Sequence, residues 1–345
     1  MSYLVAFAIA FALSLAITPL VRRFAIARGI LDLPAERKVH VEPVARMGGL
    51  AIVASFMAVT LAVVPATRQL SALLGGVVIL AVVGIIDDVR GLAPGVKFAW
   101  QIVAAMVALA GGIGITAITN PLGGSIDLQW GRFPVDVWGW HFHIAPIANL
   151  ISILWMVGMV NVINFLDGLD GLACGVSTIT ALVMFVLALN VDQPIVALLA
   201  IITAGSALGF LPYNFFPARI FMGDTGAYFL GLIIAMLAIY SGGKLATALL
   251  VVGFTIIDSL WAVIRRLRRG SHPFKADREH LHHLLLEAGL SQRVAVLLLY
   301  LLAVIFGLIA LASGSFSKLV ALIVLIVVTV TLIATLLRLA GRRRV

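Results

Sequence analysis

Apolar runs long enough to cross a bilayer recur along this chain, and that recurrence limits its fold more than any other feature. They fall at 2–21, 48–66, 70–86, 98–118, 146–165, 172–190, 194–212, 225–241, 245–264, 294–313 and 317–338. A spanning helix needs about 20 mostly apolar residues. In hydrocarbon every backbone N–H and C=O must find its partner inside the protein, and such runs satisfy that condition as helices. The chain is 62% hydrophobic and 11% charged, against about 25% charged residues in soluble domains. The expectation is an all-α, polytopic integral membrane protein with about eleven transmembrane helices, forming a single domain over 1–345. Residues 2–21 contain Pro19, and no convincing small-residue cleavage site follows them. They read as a first helix that stays.

The net charge of +9 does not point to nucleic acid, because the basic residues cluster at the ends of apolar runs, where they report orientation. The connections that follow odd-numbered runs, together with the C-terminal tail, hold twenty of the Lys and Arg residues; the opposite face has only Arg68, Arg132, Lys244 and Lys318. That asymmetry predicts an N-terminus outside and a C-terminus in the cytoplasm. Residues 120–146 form a long outer loop, where alternating Ile126, Leu128 and Trp130, a Gly-containing turn, and Val135 and Val137 predict a small periplasmic β-hairpin. His141 and His143 in this loop read as interfacial side chains. The single cysteine, Cys174, excludes an internal disulfide framework.

The acidic residues are as unevenly placed as the basic ones. Asp87 and Asp88 end the third run, Asp167 and Asp170 follow the fifth, Asp224 follows the seventh, and His280, His282 and His283 follow the ninth. All lie on the predicted cytoplasmic face. The outer face has only Asp127, Asp136 and Asp192. Carboxylates directly at the ends of apolar helices are costly unless paired or used. These are interleaved with Gly168, Gly171, Gly223 and Gly226, residues that let backbone approach a ligand closely. Clustered carboxylates in a basic frame suit Mg²⁺, with Mn²⁺ as a substitute, because these hard cations take carboxylate and phosphate oxygens. Zinc fits poorly: thiolates are missing, and the three histidines lack the usual ligand spacing. Lys97, Arg46 and the histidines would neutralise phosphate oxygens, and a metal-free carboxylate would take a proton. The set describes phosphoryl transfer. The co-substrate must include a lipid, since the site opens at the membrane face.

Five stretches carry a resemblance: "ERKVHVEPVARMGGL", "GIIDDVRGL", "NVINFLDGLDGLACG", "YNFFPARIFMGDTGA" and "PFKADREHLHH". In these, and in their order, the chain resembles the polyprenyl-phosphate N-acetylhexosamine-1-phosphate transferases, the glycosyltransferase family 4 enzymes that include the WecA- and TagO-like initiators of surface polysaccharide and the MraY translocase. The resemblance implies transfer of a sugar-1-phosphate from a UDP-sugar to undecaprenyl phosphate with Mg²⁺, in a bacterial inner (cytoplasmic) membrane and with the active site on the cytoplasmic face. It implies catalytic roles for Asp87, Asp88 and His282, with Asp87 as the base. It implies metal ligation by Asp224 and Asp167. Substrate contacts fall to Lys38, Arg46, Lys97, Asn164, Asp170, Asn214, Phe221, His280 and His283, with Asp170 near the uracil and Phe221 stacking on it. "ADREHLHH" resembles the WecA and TagO branch, which implies UDP-GlcNAc in preference to a muramyl pentapeptide donor, serving O-antigen, teichoic acid or a similar polymer. The first motif departs from the family in carrying Ala45 where a proline usually precedes Arg46. A homodimer is compatible with this reading.

The alternative from a different class is an ion-coupled secondary transporter. Transporters place ionisable groups near the midplane on broken helices in repeated halves; here the acids gather at one face and no matched halves are evident. Asp258, about two turns inside the ninth run, stays open between supporting a site residue and pairing between helices.

Overall fold

The computed structural model describes residues 2–34, 42–137, 140–242, 244–268, 270 and 280–343. Lys38, predicted to contact substrate, lies outside them, as do Lys275 and Arg278. The described residues form a polytopic membrane protein built from helices α1 (Tyr3–Ala27), α2 (Gly49–Val63), α3 (Arg68–Arg90), α4 (Pro94–Ala110), α5 (Pro146–Leu166), α6 (Leu172–Asn190), α7 (Pro194–Asn214), α8 (Gly223–Tyr240), α9 (Leu245–Arg268), α10 (Leu281–Glu287), α11 (Gln292–Ala312) and α12 (Ser315–Arg343). Eleven of these are apolar and correspond to the eleven runs. Nine are long and apolar enough to cross a membrane, whereas α2 and α4 are shorter.

Local chemistry sets the helix starts. Pro94, Pro146 and Pro194 occupy the first positions of α4, α5 and α7, where the missing N–H costs nothing. Thr67 Oγ1 accepts from Leu70 N at 3.1 Å at the start of α3. Three hydroxyls inside the bundle turn back to their own helix: Ser55 donates to Ala51 O, Thr178 to Cys174 O and Thr203 to Leu199 O, at 2.8–2.9 Å. They therefore sit in apolar surroundings without orphaned donors.

Helix α8 is the axis of the bundle, with every residue from Thr225 to Ile239 buried. Helices α2, α3, α5 and α6 pack around it, and α1 packs on α7. Helices α3 and α8 approach closely at Gly84, where a Cβ would lie 2.4 Å from Thr225 Cα. Only glycine lets α3 carry Asp87 and Asp88 this near the start of α8.

Two expected boundaries change. The run at 98–118 is a helix only from Pro94 to Ala110. Gly111 and Gly112 end it, the latter at φ +90°, and Ala117–Thr119 becomes a strand, β3. The outer loop then holds two hairpins with a different pairing from the one predicted. Strand β3 pairs antiparallel with β4 (Ser125–Asp127), and β5 (Phe133–Val137) pairs with β6 (Trp140–Ile144). Gly123 and Gly124, at φ +123° and +75°, close the first turn on Asn120, so 125–127 folds back on 117–119 and not onto 133–137. Helix α10 and the short pair β1 (Leu31–Asp32) with β2 (Val44–Ala45) have no counterpart in the sequence reading.

Candidate active site

The ends of α3, α5, α7 and α9 meet the starts of α2, α4, α6, α8 and α10 at one end of the bundle, and the predicted site residues that are described, all but Lys38, gather there. Asp87 lies in the last turn of α3, and the chain then reverses through Gly91, at φ +69°, into α4. The reversal brings Lys97 back over α3. Its Nζ forms a very short ion pair with Asp87 Oδ2 and a second contact, at 3.0 Å, with Asp224 Oδ2. Leu92 N donates to the other Asp87 oxygen at 2.5 Å. One ammonium thus bridges two carboxylates from helices far apart in sequence.

Asp224 opens α8, where the positive end of the helix dipole favours an anion. Its Oδ1 accepts from Asn164 Nδ2 at 3.1 Å, and Oδ2 also accepts from Tyr228 OH at 2.7 Å. Tyr228 was missed in the sequence; its i+4 spacing from Asp224 was the available signal.

Asp88 is placed differently from its neighbour. Helix α8 has no side-chain cap of its own, and Asp88 supplies one from α3. Its Oδ1 accepts from Asp224 N at 2.9 Å, and Oδ2 accepts from Thr225 Oγ1 at 2.8 Å and Thr225 N at 3.3 Å. Arg46 stands 3.6 Å from Asp88 Oδ1 and 3.6 Å from Asp32 Oδ1. Arg46 is placed by backbone: Arg46 N donates to Ile30 O, and its neighbour Ala45 is fixed when Phe221 N donates to Ala45 O at 2.8 Å. The loop holds its place without the proline.

Asp167 caps the C-terminus of α5, which disfavours an anion. Burial raises the affinity of its carboxylate for a proton well above the usual range, and the Asp224 and Asp88 charges add to the effect. Three residues on, Asp170 Oδ2 accepts from Ala218 N at 2.9 Å, tying the α5–α6 loop to the segment before α8. In that segment Asn214 is buried and donates to Ile220 O at 3.1 Å, while its own Oδ1 has no partner among the described residues. Phe221 is held by backbone bonds to Ala45 and Gly48.

The histidines line the adjoining wall. His282 is buried, and desolvation, with His283 and His280 adding to it, holds its affinity for a proton well below the ordinary histidine range. Its ring is 5.7 Å from His280 and 4.4 Å from His283, centroid to centroid. A Cβ at Gly168 would lie 2.3 Å from His282 Nε2, so α10 touches the loop carrying Asp167 and Asp170. His280 bonds to Asp258, so Asp258 ties α9 to the start of α10.

The donor set fits a hard divalent cation better than any other. Asp224 and Asp167 offer carboxylate oxygens, and the only thiol, Cys174, is buried and donates to Ala207 O. Among the described residues no three acidic or histidine side chains form a ready-made cage. Mg²⁺ is commonly held by one or two carboxylates, with waters and substrate phosphates supplying the rest. Chemically, the site can hold polyphosphate against Lys97 and Arg46 while Asp87 takes up a proton.

A family model described as glycosyl transferase family 4 matches residues 70–242, from the start of α3 to the end of α8. The chain is 35% identical to a probable undecaprenyl-phosphate N-acetylglucosaminyl 1-phosphate transferase of Bacillus subtilis, over 90% of this chain and 85% of that protein. It is 35% identical to the decaprenyl-phosphate N-acetylglucosaminephosphotransferase of Mycolicibacterium smegmatis, over 86% of this chain and 77% of the relative. A phospho-N-acetylmuramoyl-pentapeptide-transferase of Moorella thermoacetica matches at 32% identity over 66% of this chain and 71% of its own.

Proposed function

The chain belongs to glycosyl transferase family 4, and on that premise we propose that it transfers GlcNAc-1-phosphate from UDP-GlcNAc to undecaprenyl phosphate, releasing UMP, as the first membrane step of a surface polysaccharide. The observation that carries this reading is the meeting of Asp87, Lys97, Asp224 and Asn164 at the end of the bundle. A bond forms between a lipid phosphate oxygen and the phosphorus that bears the sugar; the bridging bond from that phosphorus to UMP breaks. The relatives named for N-acetylglucosamine transfer match over more of the chain than the pentapeptide transferase does, which supports UDP-GlcNAc as donor.

Each side chain then has a task. Asp87 takes the proton of the attacking lipid phosphate. Lys97, already between two carboxylates, neutralises phosphate oxygens as charge shifts to the leaving group. Asp224 and Asp167 would hold Mg²⁺, which when bound offsets the charge of the diphosphate. Asn164 orients the Asp224 carboxylate through its 3.1 Å bond. Asn214 has an unused buried Oδ1 suited to a polar edge of the nucleotide, and Phe221 offers the base an aromatic face.

The lipid reaches this point sideways. An apolar groove of about 370 Å³ runs between α5 and α9, lined by Leu154, Met159, Val162, Phe165, Ile256 and Leu260. Phe165, in its lining, adjoins Asn164 in sequence. A polyprenyl tail in the groove would bring its phosphate to the carboxylates. The charge asymmetry supports a cytoplasmic position for this end of the bundle. The transporter alternative finds no support: the carboxylates of α3, α5 and α8 gather at one end, and the family relatives are transferases.

The test is a transfer assay. Purified protein in detergent receives undecaprenyl phosphate, Mg²⁺ and radiolabelled UDP-N-acetylhexosamines. Labelled lipid from UDP-GlcNAc, abolished by chelation, is the expected result. Absence of transfer from every donor by folded protein would overturn the reading.

A further inference from the structure

Asp258 is a carboxylate that the proposed reaction does not use. It lies within α9, 5% exposed, in a stretch apolar enough to span the membrane. An ionisable group there is costly unless it is bonded on every side. Its Oδ2 lies 2.9 Å from His280 Nδ1, and its Oδ1 accepts from Leu281 N at 2.8 Å. On the far side of the imidazole, Arg266 Nη2 lies 3.3 Å from His280 Nε2. A guanidinium donates and has no lone pair to accept with, so Nε2 must be the acceptor. The ring proton therefore sits on Nδ1 and is given to Asp258. The three residues form a chain with one direction, Arg266 to His280 to Asp258.

This chain fixes the start of α10. His280 stands at its N-cap without capping it by side chain; the orphan N–H of Leu281 is met by Asp258 instead. One residue further, His282 lies against Gly168. The His280 ring faces Phe165 at 6.0 Å, interplanar angle 28°, on the helix that ends in Asp167.

We propose that Asp258 is a positioning residue: by holding His280 as its Nδ1–H tautomer it seats α10, and with it His282 and His283, against the loop of Asp167 and Asp170. His280 is then part of the frame and not a substrate contact. The kinetic consequence rests on the transferase reading; the tautomer does not.

The experiment is ¹⁵N NMR of histidine-labelled protein in nanodiscs, where seven histidines give few signals and His280→Gln assigns the one in question. The expected result is a neutral imidazole protonated at Nδ1 in the wild type. In Asp258→Asn the new amide must face one of the two donors with its own N–H₂, and the Nδ1–H, deprived of its carboxylate acceptor, gives a shifted signal or none. In Arg266→Gln the side-chain amide still donates to Nε2, and the signal stays. In the transfer assay Asp258→Asn lowers kcat/KM for the UDP-sugar by roughly ten- to a hundredfold, while Arg266→Gln stays closer to wild type. A wild-type His280 protonated at Nε2, or an unchanged signal in Asp258→Asn, would overturn the proposal and leave the transferase reading standing. Absence of transfer with the expected tautomer would do the reverse. The wild-type spectrum decides the tautomer even if a variant fails to fold.

Discussion

Asp88 Oδ1 accepts the backbone N–H of Asp224 at 2.9 Å, so the second carboxylate of the acidic pair holds the backbone of the residue proposed to bind metal. With Thr225 taking its other oxygen, Asp88 has little lone-pair capacity left for substrate. Asp88→Asn keeps one acceptor and turns an amide toward a donor. We expect an apparent Tm lowered by several degrees, in line with a cost of roughly 1–3 kcal/mol for an unmatched buried group, together with reduced turnover. Thermal unfolding in detergent checks this; an unchanged Tm would show that Asp88 does not hold α8.

Asp87 differs in having its oxygens on a lysine and one backbone N–H. Asp87→Asn should keep the fold and nucleotide binding but lose about a hundredfold or more in turnover, the range expected when a positioned base is removed. Calorimetric binding of UDP-GlcNAc measured beside the transfer rate separates the two effects. Equal loss of both would make Asp87 a binding group.

Asp224→Ala removes a proposed metal ligand and also the acceptor of Lys97, Asn164 and Tyr228. Transfer should fall below detection, and Mg²⁺ titration should no longer raise the rate. Wild-type protein treated with EDTA should lose activity and regain it on adding Mg²⁺. Activity that persists through chelation would remove the metal from the mechanism.

Gly168 faces His282 with no room for a methyl group. His282 is buried and its ring is flanked by two other histidines, so it cannot swing aside. Gly168→Ala should therefore push α10 from the loop and reduce transfer by about tenfold or more, with less effect on global stability. Wild-type kinetics in this variant would show that the contact is idle.

The histidine wall also sets a pH dependence. His282 is held neutral by burial, while the unfolded chain takes up a proton below about pH 6.5. Stability is therefore unaffected above that value and falls as pH drops below it. Asp167 works in the opposite sense: its raised affinity means the folded state keeps a proton that the unfolded chain releases above about pH 4, a contribution lost as pH rises. Comparing wild type with His282→Gln from pH 5.5 to 8 isolates the histidine, and the wild-type Tm should fall faster toward pH 5.5. Parallel curves would mean that His282 is not buried as a neutral ring.

The apolar runs determined the helices by themselves, because in hydrocarbon a twenty-residue apolar segment has almost no alternative to satisfying its backbone locally. Their spacing from Asp, Asn and His put the site at one end of the bundle, and the five motifs named the family. Local pattern also failed in places. Past Ala110 the chain stays apolar, yet two glycines end the helix, and the strand that follows is set by its partner at 125–127. Adjacent Asp87 and Asp88 look equivalent in sequence. Their roles separate only because α3 presents one to Lys97 of α4 and the other to the uncapped start of α8. Asp258 and His280 are twenty-two residues apart, with nothing in their spacing to connect them. Which carboxylate pairs with Lys97, which caps a helix and which holds a histidine depends on contacts between elements distant in the chain. Those contacts exist only once α8 is enclosed by its neighbours and each buried polar atom has to find its partner there.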